Sequence, residues 1–178
     1  MKRTTLWTLF LLVVTVIAVA AMNMWLSAPV GAQGTRTLKA DLHPFQEVPS
    51  VSSVAGGEFR GRISGDGTSI EYELSFDGLE GTITQSHIHV GQMGANGGIS
   101  VFLCQTATNT DPTGLAPTCP QSGTVTGTLT AANIIGPTGQ GVAAGEFAEL
   151  VDAIRGGVAY ANVHSSKFTG GEIRGQIK

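Results

Sequence analysis

The chain has 178 residues, 25 of them glycine, with 42% hydrophobic and 13% charged residues and a formal net charge of −3. That hydrophobic share excludes a wholly disordered chain, the aperiodic glycines exclude collagen, and the lack of a basic surplus argues against a nucleic-acid partner. What remains is a glycine-punctuated, β-rich domain of ordinary size.

Lys2 and Arg3 precede an uncharged run from Leu6 to Ala21, and Val30 and Ala32 stand as small residues at −3 and −1 of a cleavage site. This pattern predicts an export signal over residues 1–32, with 33–178 as the mature domain. An uncleaved anchor is the competing reading, because the apolar region stretches from Leu6 to Leu26, about 20 residues and enough to span a bilayer. A membrane enters only in that second case. Both readings place the domain outside the cytoplasm, and loss of Lys2 and Arg3 would make it more acidic.

Beyond residue 32 the dominant period is two. Arg36–Leu42 is the first strand candidate. GGEFRGRIS, from Gly56, leads through Gly65-Asp66-Gly67 into SIEYELSF. There Ile70, Tyr72, Leu74 and Phe76 point one way and Glu71, Glu73 and Ser75 the other, so the pair reads as a hairpin with one wet face. Further strands are expected at Ile83–Val90, Ile99–Cys104, Thr124–Leu129, Val158–His164 and Glu172–Ile177. Eight short strands between Gly, Pro, Asn and Asp clusters predict an all-β, Greek-key or immunoglobulin-like sandwich or barrel.

Gly145–Gly156 breaks the period. Phe147, Leu150, Val151 and Ile154 recur at helical spacing, so one short helix near 145–155 is expected to lay that stripe on the core, with Gly156 as a left-handed cap. Cys104 and Cys119 are the only cysteines, and in an exported chain the pair reads as one disulfide closing a Thr/Pro/Gly-rich loop. GGEFRGRI (Gly56–Ile63) matches GGEIRGQI (Gly170–Ile177) at six of eight positions. The mid-strand glycines, Gly61 and Gly175, should leave room for a facing side chain or a close backbone. Phe59, Ile63, Ile173 and Ile177 should turn inward. The two copies could be neighbours that close the sheet.

All four histidines lie beyond the signal: His43, His87, His89 and His164. In ITQSHIHV the two histidines of H-x-H share a strand face, about 6.6–6.8 Å apart along it. Tyr160, Asn162 and His164 share a face of YANVH, and His43 ends TLKADLH. Brought together, His87, His89, His164 and, as a fourth, His43 could hold copper or zinc. Met93 is a candidate soft ligand for copper. The alternative is a polar knot of neutral imidazoles bonded to Asn162 or to backbone. No nucleophile elbow or phosphate loop occurs, and no catalytic residue is assigned. The glycines of GQMGANGG read as a turn needing positive φ.

Three ordered segments carry a resemblance: LHPFQEVPSVSSVAGGEFRG, HIHVGQMGANGGISVFLC and ELVDAIRGGVAYANVHSSKFTGGEIRGQI. Together they resemble the chordin-type CHRD domain. The resemblance implies an extracellular β-sandwich or barrel acting as a binding or structural module, with an extracellular or envelope protein or matrix partner. Chordin's cysteine-rich modules are missing, so growth-factor antagonism does not carry over. A looser resemblance, through H-x-H and one disulfide, is to copper/zinc superoxide dismutase. It implies the alternative of a copper- or zinc-dependent enzyme, although four histidines fall short of that enzyme's two-metal set.

Overall fold

The computed structural model describes residues 36–178; the expected export signal lies outside them. Eight strands form in the places their alternation dictates: β1 (Arg36–Leu42), β2 (Gly56–Ile63), β3 (Ile70–Asp77), β4 (Ile83–Val90), β5 (Gly98–Cys104), β6 (Gly123–Leu129), β7 (Ala159–Ser165) and β8 (Ile173–Gln176). In β3 every second residue, Ile70, Tyr72, Leu74 and Phe76, is buried.

The strands make two four-stranded antiparallel sheets, ordered β1-β2-β3-β6 and β5-β4-β7-β8. β6 returns to lie beside β3, which is the Greek-key exchange. Their inner faces enclose one core that includes Leu38, Phe59, Ile63, Leu74, Ile88, Leu103, Val163 and Ile173. Tyr72 donates its hydroxyl to the Leu103 carbonyl at 2.5 Å, tying β3 to β5 across it. The expected helix, α1 (Phe147–Arg155), buries Phe147, Leu150, Val151 and Ile154. Its end differs from expectation. Gly156 keeps a right-handed φ of −73°, and the left-handed position falls on Gly157 at φ 70°. The helix therefore closes one residue later than the last apolar position suggests. Among the described residues no helix is long and apolar enough to cross a membrane.

The sheets join along one side. Lys39 and Lys178 exchange backbone hydrogen bonds of 3.0 and 2.9 Å, and His43 N–H donates to Arg174 O at 3.0 Å. Both pairs belong to one antiparallel register between β1 and β8, yet the opposite margin does not close, so the fold is a sandwich and not a barrel. The repeated strands are consequently not neighbours: β1 runs between β2 and β8. Phe59, Ile63, Ile173 and Ile177 are all fully buried. The twin glycines serve different ends. A Cβ on Gly61 would meet the Phe59 ring at 3.2 Å, whereas one on Gly175 would overlap the backbone carbonyl of Asp41. Cys104 and Cys119 are bonded, with Cα atoms 5.0 Å apart.

Candidate metal centre

Strand parity sends Ile88, Ala161 and Val163 into the core and His87, His89, Tyr160, Asn162 and His164 to the outer face of the second sheet. β4 and β7 are adjacent and antiparallel, so the histidines of both converge. The pairing of β4 with β5 slips at Ser86/His87 and again at Ile88/His89. β5 thereby carries an extra residue beside each histidine, Leu103 and Ser100. Bulges of this kind twist a strand and re-aim its side chains.

His87, His89 and His164 each offer a nitrogen within 4.8 Å of the others'. Their residues are 0%, 7% and 5% exposed. The Nδ1 atoms of His89 and His164 lie 3.0 and 3.1 Å from the carbonyl oxygens of Gly97 and Thr169. A carbonyl only accepts, so both Nδ1 atoms carry the proton and both Nε2 atoms present a lone pair. Backbone-held imidazoles of this kind are what orients histidine toward a metal. Nδ1 of His87 faces Nε2 of His164 at 3.2 Å. Two nitrogens sharing an ion at about 2.0–2.1 Å would sit at nearly this separation. Nε2 of His87 and Nε2 of His89 are buried with no hydrogen-bond partner among the described residues.

All three imidazoles are held neutral. Burial, and then the neighbouring imidazoles, push His87 to about 2; burial, against the bond to Gly97, pushes His89 to about 4. Burial likewise takes His164 to about 4, against its bond to Thr169. Neutral imidazole is the ligand form.

Aromatic rings and loops wall the cluster. Phe102 meets His87 edge-on at 4.3 Å, and Tyr160 stacks on His89 at 4.8 Å with the rings 2° from parallel. The guanidinium of Arg174 lies 4.6 Å from the Tyr160 ring centre. Arg174 also donates to Glu47 at 2.8 Å, to Ala95 O at 3.0 Å and to Asn96 Oδ1 at 2.6 Å. Asn162 donates to Glu47 at 2.5 Å. Burial pushes the Glu47 carboxyl up, against the pull of Arg174. These bonds clamp the loops around residues 47 and 96 over the sheet. In GQMGANGG positive φ is confined to Gly94, at 78°. Gly97 is needed for another reason: a Cβ there would collide with the Val90 carbonyl, and its own carbonyl is the one that holds His89.

The other two candidate ligands lie elsewhere. His43 is exposed, paired through its backbone with Arg174, and does not belong to the cluster. By alternation it falls in with Lys39 and Asp41, outside the first sheet. Met93 is 70% exposed. The Glu47–Arg174 pair was not singled out by residue chemistry, although both lie in the segments that carry the family resemblance. Arg174 alternates with core residues and so reads as a solvent-facing side chain.

A Greek-key sandwich with one disulfide, a covered outer sheet face and three convergent histidines defines the class of domain. The chain belongs to the CHRD family: the model described as CHRD domain matches residues 38–177. No curated protein and no solved structure matches it.

Proposed function

We propose that this CHRD domain is an exported module with a binding or structural role, and that it holds one copper or zinc ion through His87, His89 and His164. The observation that carries the reading is the buried, partnerless Nε2 of His89 in a group of three imidazoles whose ligand nitrogens lie within 4.8 Å of one another, with Nδ1 of His87 and Nε2 of His164 3.2 Å apart. An unpaired buried acceptor costs about 1–3 kcal/mol, and an ion would turn that cost into a bond. When bound, the ion supplies a cross-link between β4 and β7. The burial of all three imidazoles favours binding over turnover, because a substrate would have to displace the covering loops. The disulfide favours an oxidising compartment.

The test is titration of metal-free, untagged protein with Cu(II) and with Zn(II). One ion per chain is expected, with Cu(II) the tighter of the two divalent ions. Binding should be lost in His87→Ala and in His164→Gln, each checked by circular dichroism for an intact fold. Equal binding by folded variants would leave the cluster as a polar structural knot.

A further inference from the structure

We infer that the three-histidine site selects a monovalent ion, Cu(I), over the divalent Cu(II) and Zn(II). The inference rests on the reading of the cluster as a metal centre and concerns which ion it takes.

The first argument is charge. The three ligands are neutral imidazoles, and among the described residues no carboxylate or thiolate belongs to the group that could share the ion. Glu47, a buried carboxylate on the same face, is held by Arg174 and Asn162. The charge stacked toward the cluster through Tyr160 is the guanidinium of Arg174, paired with Glu47, so this face brings no unpaired negative charge to the ion. β7 lies between β4 and β8, so Tyr160 meets His89 from one side and Arg174 from the other. Burying an ion costs free energy in proportion to the square of its charge, so a divalent ion costs roughly four times as much as a monovalent one. With no anionic ligand to offset it, that larger cost disfavours the divalent ion.

The second argument is coordination number. Zinc is almost always four-coordinate, with a water in fourth place where the protein supplies three ligands. Here the three histidines are 0%, 7% and 5% exposed, Nε2 of His89 is closed to solvent, and the Phe102 and Tyr160 rings pack against His87 and His89. Cu(I), a closed-shell d10 ion, accepts three nitrogen donors without a fourth. Nδ1 of His87 serves as its ligand if the imidazole proton moves to Nε2, which keeps the ring neutral and releases no proton to the site.

The test uses metal-free protein with its disulfide intact. Cu(I) is added anaerobically as its acetonitrile complex, without thiol reductant, in competition with bicinchoninate. Ag(I) serves as a redox-inert monovalent probe, and Cu(II) and Zn(II) are titrated separately. The expected result is Cu(I) and Ag(I) binding at least about 100-fold tighter than either divalent ion. Comparable or tighter Cu(II) or Zn(II) binding overturns the selectivity while leaving the metal centre standing. Binding of no ion overturns both. In His89→Asp, which adds an anionic ligand, the ratio should move toward Zn(II) by about tenfold or more; an unchanged ratio in a folded variant refutes the charge argument. Should that variant not fold, the wild-type series decides alone.

Discussion

The twin glycines of the repeated strands make a paired test of the seam between the sheets. Substituting alanine at each adds the same single carbon to the same sequence motif. At Gly61 that carbon meets the Phe59 ring at 3.2 and 3.3 Å and the Ile70 side chain at 3.4 Å. Side chains can yield by a few tenths of an ångström, so Gly61→Ala should cost about 1 kcal/mol, the low end of overpacking. At Gly175 the added carbon overlaps the Asp41 carbonyl, which sits between Lys39 and His43, the two residues bonded to β8. Backbone cannot swing away without lengthening those bonds, each worth about 1 kcal/mol net. Overpacking and seam loss together put Gly175→Ala at about 3 kcal/mol or more. Urea unfolding of the disulfide-intact protein reads this directly as a shift in midpoint at constant slope. Equal midpoints for the two variants would show that Asp41 is free to move, and the account of the seam would be wrong.

Three further outcomes are expected. Thiol labelling of the native protein should find no reactive cysteine, and Cys104→Ser with Cys119→Ser should lower stability by about 3 kcal/mol in urea. In the metal-free protein, His89 and His164 fall from an ordinary 6.5 to about 4 on folding, so the unfolded chain binds protons first. Their contribution is therefore complete above pH 6.5 and is lost as pH falls toward 4, by something of order 3 kcal/mol for each; a flat stability profile over that window would count against neutral, buried imidazoles. Arg174→Met strands the Glu47 carboxylate and should cost about 3–5 kcal/mol, much of it recovered by adding Glu47→Leu; a double mutant as unstable as the single would mean that packing, not charge, dominates there.

The strands were legible because one face of each meets a core, which imposes the period of two on the residues. Three of the histidines were legible for the same reason: H-x-H and the parity of YANVH fix a shared outer face, and adjacency of β4 and β7 does the rest. His43 shows where parity stops. Alternation puts it on an outer face, but which sheet owns that face depends on pairing, which single strands do not encode. The buried Glu47 and Arg174 were illegible because an outer face normally means solvent. Here two loops cover it, and a charged residue at a nominally wet position becomes an interior clamp. The later helix end turns on one peptide's φ, below what apolar spacing can resolve.

The seam also sets the order in which the molecule can assemble. β1 finds its second partner only in β8, and the loop bearing Glu47 is locked down only by Arg174, so the earliest and latest strands must meet before the covered face is finished. A nascent chain emerging first strand first holds His87 and His89 uncovered until β7 arrives, and the roof over them stays open until β8 closes it. Loop closure over so long a stretch makes folding slow. Whatever exposes the histidine face in the finished fold must therefore loosen the same contacts, those of the Glu47 loop with Arg174, that form last.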